Sequence, residues 1–306
     1  MRASRMRGLR SRGLRVAASL VVAAGTCVGL QVVTAAPAAA VGTVQVVVGP
    51  LSAGNSQSPK FAPSAVCPAG TKVLGGGGWA QVQATTPESE RVVLSELRPA
   101  PSTTGGRDSY EAGAFELSPG TTADWAVQAF AICAPPITGM HLVVGRSISS
   151  NSTQIARADC GSDNEAVLGL GSQILGADGQ ATLVYEFAET FRVAQVKALE
   201  DADGFSGTWE LDAFAVCAPF PRNYGTSFGL SSPTTPNSDP VQVAFSRCGN
   251  GNGSKTLGIG AAINVPLPGT GLQVVFPGSQ LESAAVEATP TDATWGPTAV
   301  QGICGD

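Results

Sequence analysis

A single histidine, His141, supplies all the imidazole in these 306 residues. A serine nucleophile needs such a base to take its proton. No G-x-S-x-G elbow accompanies it, so triad hydrolysis is a poor fit. His141 opens HLVVG, and the corresponding places in the repeats described below hold Gln45 and Gly225. It therefore reads as a surface or strand-edge residue. No two cysteines stand at C-x-x-C spacing, which with one histidine argues against a zinc site. Charge is scarce too, at 13% of residues. Beyond Ala40 no apolar run is long enough to span a bilayer. Nowhere do apolar residues recur at helical spacing through three turns.

The basic residues that are present crowd the start. Arg2, Arg5, Arg7, Arg10, Arg12 and Arg15 precede an apolar stretch from Val16 to about Val33 and then AAPAAA. This order predicts a secretory signal over 1–40, cleaved after Ala40, and a secreted protein. No adjacent arginine pair marks the alternative export route, and the residues before Cys27 fit a lipoprotein signal poorly. Without those six arginines the chain keeps 12 basic against 23 acidic residues, a net charge of −11. A surface this acidic repels phosphate backbones, so no nucleic-acid partner is expected, and no membrane association after cleavage. An apolar content of 43% argues against a disordered chain.

Six cysteines remain after Cys27, and they sit in a pattern that runs three times. AFAIC ends at Cys133, AFAVC at Cys217 and VQGIC at Cys304, with Trp125, Trp209 and Trp295 eight or nine residues ahead. Cys67, Cys160 and Cys248 each lead into a Leu-Gly-x-Gly step, VLGGG, VLGLG and TLGIG. Upstream lie an apolar-Gly step at Gly49, Gly145 and Gly229, and an Asn-Ser step at Asn55, Asn151 and Asn237. The tryptophans are 84 and 86 residues apart. Repetition at this period divides the chain into units over 43–136, 139–221 and 224–306. The simplest pairing is one bridge per unit: Cys67–Cys133, Cys160–Cys217 and Cys248–Cys304. Each would contribute about 4 kcal/mol to a unit with a modest core.

Within each unit short β-rich runs alternate with turn residues. In the second unit these are HLVVG, TQIARADC, AVLGLGSQI, ATLVYEF, FRVAQVKAL and TWELDAFAVC. The fold expected is all-β, with five or six antiparallel strands per unit. Two arrangements fit: tandem small sandwiches, or three sheets sharing one core about a pseudo-threefold axis. The short linkers APPITG and APFPRN favour closely packed compact units.

The stretch CPAGTKVLGGGG (67–78), with a tryptophan and AFAICA (129–134) after it, resembles a repeat of secreted actinobacterial proteins. That family mostly has no assigned activity, and the resemblance implies no catalytic residue or cofactor. Three Cys-paired β units are also similar to the vitelline membrane outer layer protein, a β-prism of lectin-like shape.

Other candidates have plainer readings. Glu96, Glu116, Asp124, Glu186, Glu189, Glu210 and Asp212 could pair for glycoside cleavage, yet a solvated sheet face also explains them. DADG (201–204) alternates two aspartates before a glycine but lacks the distal ligands of a calcium loop; no metal site is assigned. Asn151-Ser-Thr matches a glycosylation acceptor, though the Asn-Ser step in each unit marks a turn. The repeated tryptophans are expected to pack over the disulfides and glycine strands. Trp79, found only in unit one beside the glycines, forms the candidate contact surface together with Tyr110. These observations predict a non-enzymatic extracellular protein that is structural or binds a glycan or protein. A carboxylate hydrolase and a protease inhibitor presenting loop 99–109 are the alternatives.

Overall fold

Alternate glycines leave one strand face without side chains, and three such strands meet at the centre of the molecule. The computed structural model describes residues 40–83, 91–177, 179–231, 242–249, 253–264, 266–278, 281, 283–289 and 296–306. The expected signal segment therefore lies outside the described residues, except Ala40, as do Trp295 and Asn237.

The first sheet has the order β1 (Gln45–Leu51), β7 (Trp125–Ala134), β4 (Lys72–Val82), β17 (Gly271–Pro277), β18 (Ser283–Thr289), β15 (Gln242–Arg247). The second runs β2 (Lys60–Phe61), β6 (Ser109–Glu116), β5 (Val92–Ala100), β10 (Glu165–Leu175), β13 (Trp209–Pro219), β8 (His141–Ser149), with β3 (Ala65–Val66) also on β6. The third runs β14 (Gly225–Leu230), β19 (Thr298–Gly305), β16 (Lys255–Ile263), β11 (Ala181–Thr190), β12 (Val193–Glu200), β9 (Thr153–Asp159). All pairs are antiparallel, and no helix occurs among the described residues.

Each sheet thus joins strands from two units, and each unit supplies strands to two sheets. The seams are β4–β17, β10–β5 and β16–β11. The tandem-sandwich arrangement is not adopted, and one core cluster draws on all three units.

Three sets of glycines make this closure possible. A Cβ on Gly169 would lie 1.7 Å from the Leu74 carbonyl oxygen, and one on Gly258 2.5 Å from that of Leu168. One on Gly75 would lie 2.7 Å from the Leu257 carbonyl oxygen. The three strands therefore touch backbone to backbone around the axis. Gly77, Gly171 and Gly260 do the same at the seams, against the carbonyl oxygens of Val275, Leu97 and Glu186 at 1.9, 2.6 and 2.7 Å. Gly145 and Gly229 admit the carbonyls of Arg157 and Phe245, where neighbouring sheet edges meet at corners.

The three disulfides pair as expected, with Cα–Cα distances of 5.4–5.7 Å. Each fastens two sheets at a corner. Cys133, Cys217 and Cys304 lie in β7, β13 and β19, while their partners follow β3, β9 and β15 of the neighbouring sheet. Edge strands here invert the usual pattern. In β15, Val243 and Phe245 face outward while Gln242, Ala244 and Ser246 are buried, because only small or hydrogen-bonded side chains fit inside the corner.

Candidate functional site

The shared pairing scheme lets one outward position be compared across the three sheets. On the second sheet a register row crosses six strands: Phe61, Gly113, Glu96, Gln173, Asp212 and Arg146. The same row on the first sheet reads Val243, Glu287, Val274, Trp79, Gln128 and Leu51. On the third it reads Ile155, Lys197, Tyr185, Ala262, Ala299 and Leu230. Among the described residues, only the second sheet carries three successive polar side chains on its central strands, Glu96, Gln173 and Asp212, with Arg146 at the edge.

Those side chains are linked. Gln173 Nε2 donates to Glu96 Oε2 at 3.1 Å, and Arg98 Nε donates to Glu96 Oε1 at 3.0 Å. Arg98 also pairs with Glu111. Arg146 donates through Nε and one terminal nitrogen to both oxygens of Asp212 at 2.9 Å, and approaches Glu210 at 3.0 Å. The two-point geometry fixes Arg146 flat against its neighbour strand. Gly113 has no side chain because the Phe61 ring lies on it, 2.8 Å from where a Cβ would stand. Phe61 itself remains 61% exposed.

Beside the Phe61–Glu96–Gln173 part of the row lies a cleft of about 440 Å³. Ser58, Pro59 and Phe61 form one wall, and Phe115 and Glu116 come from the end of β6. Ser95 and Glu96 lie on β5, and Gln173 to Gly176 close the far side with Gly179. The cleft sits where strands of the first and second units join. Apolar walls with a few convergent polar groups are the usual make-up of a ligand site.

Two carboxylates from the sequence candidates, Glu96 and Glu116, are brought to this cleft. Glu116 is held in place: Oε1 accepts from Trp125 Nε1 at 2.7 Å and Oε2 from the Thr121 amide at 3.1 Å. Glu200 Oε1 accepts from Trp209 Nε1 at 3.1 Å in the same way. In both, the carboxylate precedes the indole by nine residues, a Glu-to-Trp spacing that the sequence displays and that marks an anchoring role. The other candidates lie apart. Glu189 pairs with Arg157 on the surface of the third sheet, and Glu210 and Asp212 hold Arg146.

Several expectations are corrected by the geometry. Tyr110 is 1% exposed and cannot form a contact surface. Its ring packs on Gly76, and its hydroxyl donates to the Leu170 carbonyl oxygen at 3.1 Å. Burial, with Glu186 and Glu96 nearby, pushes the phenol pKa well above its usual value. Trp79 is 36% exposed and lies between Val274 and Gln128 in the first sheet, on a different sheet from Tyr110. Trp125 does not cover its disulfide. It pairs with Val82 while Cys133 pairs with Val73, so an almost full strand length separates them.

One buried cation escaped the sequence reading. Lys60 Nζ lies 3.6 Å from the Trp125 ring centroid and donates to the carbonyl oxygens of Asn55 and Trp125. Burial lowers its pKa, opposed by Glu116 and Asp124. Gln154 Nε2 does the same work in unit two, donating to the carbonyls of Ser149 and Trp209 at 3.1 and 2.9 Å. Lys60 is therefore a backbone clamp.

Glu186 is buried on the inner face of β11, where it accepts a 2.5 Å hydrogen bond from Ser172 Oγ. Burial drives its pKa up to about 8, with the Ser172 bond opposing. In DADG, Asp201 Oδ1 accepts from the Gly204 amide at 3.2 Å, as in a turn. Burial and Asp203 raise its pKa to about 6. His141 is an exposed residue at the start of β8, 3.8 Å from Glu165. Loop 99–109 is tethered at its base, where buried Asp108 accepts from the amides of Ser102 and Val73 and from Lys72 Nζ. Arg107 Nε donates inward to the Cys67 carbonyl at 2.6 Å.

Fold and face together define a disulfide-stapled three-sheet β protein with one differentiated outer surface. Neither a family model nor a curated protein matches the chain.

Proposed function

We propose that this is a secreted, non-enzymatic binding protein whose second sheet recognises a glycan. The carrying observation is the contrast between equivalent rows: Glu96–Gln173–Asp212–Arg146 on one sheet, against Val274–Trp79–Gln128–Leu51 and Tyr185–Ala262–Ala299–Leu230 on the others. A scaffold needs no unbroken polar run, since the rows interrupted by Val274 and Trp79 or by Ala262 and Ala299 close equally well. Sugar hydroxyls both donate and accept, so a carboxylate, an amide and a guanidinium in line suit them. An exposed phenyl ring beside them offers a surface for the sugar's C–H face. Three buried disulfides fit an oxidising, extracellular setting. Against cleavage by Glu96 and Glu116 stands the anchoring of Glu116 on the Trp125 indole and the matching Glu200–Trp209 pair. Against inhibition by loop 99–109 stands the inward engagement of Arg107.

The test is a glycan array followed by calorimetry with residues 41–306, wild type and Gln173→Ala. Saturable binding without turnover, weakened at least tenfold in the variant, is the expected result. Turnover abolished by Glu96→Gln or Glu116→Gln would replace this reading with a hydrolase.

A further inference from the structure

The charge of the ligand is legible in the cleft, on the reading that the cleft binds a glycan. Among the described residues its only charged lining groups are Glu96 and Glu116; Ser58, Ser95 and Gln173 supply neutral polar groups. Two nearby cations are already engaged elsewhere. Arg98 lies between Glu96 and Glu111, and Lys60 rests on the Trp125 face and two backbone carbonyls. Even with Arg91, beside the Val92–Glu116 pair, the described cations are outnumbered by Glu96, Glu111, Glu116 and Asp124, a balance that favours a cationic over an anionic ligand. Among the described residues, the two oxygens of Glu96 and the two of Glu116 each accept one hydrogen bond. A carboxylate oxygen can accept a second, so both groups can receive a further donor without giving up their present ones.

We propose that the cleft selects a saccharide bearing free amino groups over neutral or acidic ones, taking an ammonium at Glu96 and Glu116 with the sugar ring against Phe61. Charge-assisted hydrogen bonds are roughly twice as strong as neutral ones. An acidic sugar would meet two carboxylates in a partly dry site.

The probes are a β-1,4-linked glucosamine hexamer, cellohexaose and an oligogalacturonate, titrated calorimetrically at a pH where the amines are protonated. The glucosamine hexamer should bind about tenfold tighter than cellohexaose, the order expected of one charge-assisted contact. The oligogalacturonate should bind weakest. Glu96→Gln and Glu116→Gln should each narrow the ratio of glucosamine-hexamer to cellohexaose affinity, whatever their effect on cellohexaose binding itself; a ratio unchanged in both variants would overturn the amine inference. Raising the pH until the amines are neutral should remove the preference in the wild-type protein, a test independent of how the variants fold. Equal binding of cellohexaose, or tighter binding of the oligogalacturonate, would overturn the amine inference and leave the glycan reading standing. A lysine hexapeptide binding as tightly as the glucosamine hexamer would overturn the saccharide assignment. No binding of any of these, or of any array glycan, would overturn the glycan reading itself.

Discussion

Replacing Glu186 by glutamine should change how stability depends on pH. The carboxyl is fully enclosed, and its pKa is raised to about 8 from an ordinary value of 4.5. The folded protein therefore keeps a proton that the unfolded chain releases, so stability is highest below pH 4.5 and falls as pH rises towards 8. Each pH unit in that window costs about 1.4 kcal/mol. Between pH 5 and pH 8 the loss from this one group is about 4 kcal/mol, a large share of a typical domain's stability. Asp201, raised to about 6, acts in the same direction but only below that pH. Glutamine is isosteric and can still accept from Ser172 Oγ, so Glu186→Gln should remove the slope between pH 6 and 8 and leave below 6 only the shallower slope that Asp201 contributes. At pH 8 the variant should be more stable than wild type by about 4 kcal/mol. Urea unfolding followed by tryptophan fluorescence at four pH values measures both. Parallel curves for the two proteins from pH 6 to 8 would refute the reasoning.

Three further substitutions probe the scaffold by the same unfolding assay. Lys60→Met leaves two backbone carbonyls without their clamp and should cost roughly 1–3 kcal/mol, whereas Lys60→Gln, matching Gln154, should retain most of the stability. Gly169→Ala places a methyl 1.7 Å from the Leu74 carbonyl and should cost about 3 kcal/mol or prevent folding, while Gly225→Ala, with nothing within 4 Å, should change stability by less than about 0.5 kcal/mol. Removing the Cys160–Cys217 bridge, which spans 57 residues, should cost about 4 kcal/mol by the chain-entropy model.

The strands and disulfides were legible because their signals are local: β-rich runs between turns, and the same cysteine context three times. The exchange of strands between units was not, because pairing across β4–β17, β10–β5 and β16–β11 depends on which carbonyls the glycines admit. Gly75 and Gly77 stand at alternate positions of one strand with nothing local to tell them apart, yet one serves the axis and the other a seam. Tyr110 reads with Trp79 as a surface residue, since nothing local in the sequence shows what its ring packs on. It is instead the partner of Gly76, which is peculiar to unit one, and the two compensate each other in volume. The cleft was hidden for a similar reason. Glu96 and Gln173 lie 77 residues apart in different units and meet only at a seam, so alignment of the units by sequence could not juxtapose them.

The central claim is that one of three equivalent outer faces has been differentiated for binding. Hydrogen exchange with and without a saturating array-selected glycan tests it directly. Added protection should be confined to the β5–β10 seam and the Phe61 wall, with the Trp79–Val274 and Tyr185–Ala262 seams unchanged. Protection at either of those seams, with none around Glu96 and Gln173, would contradict the account.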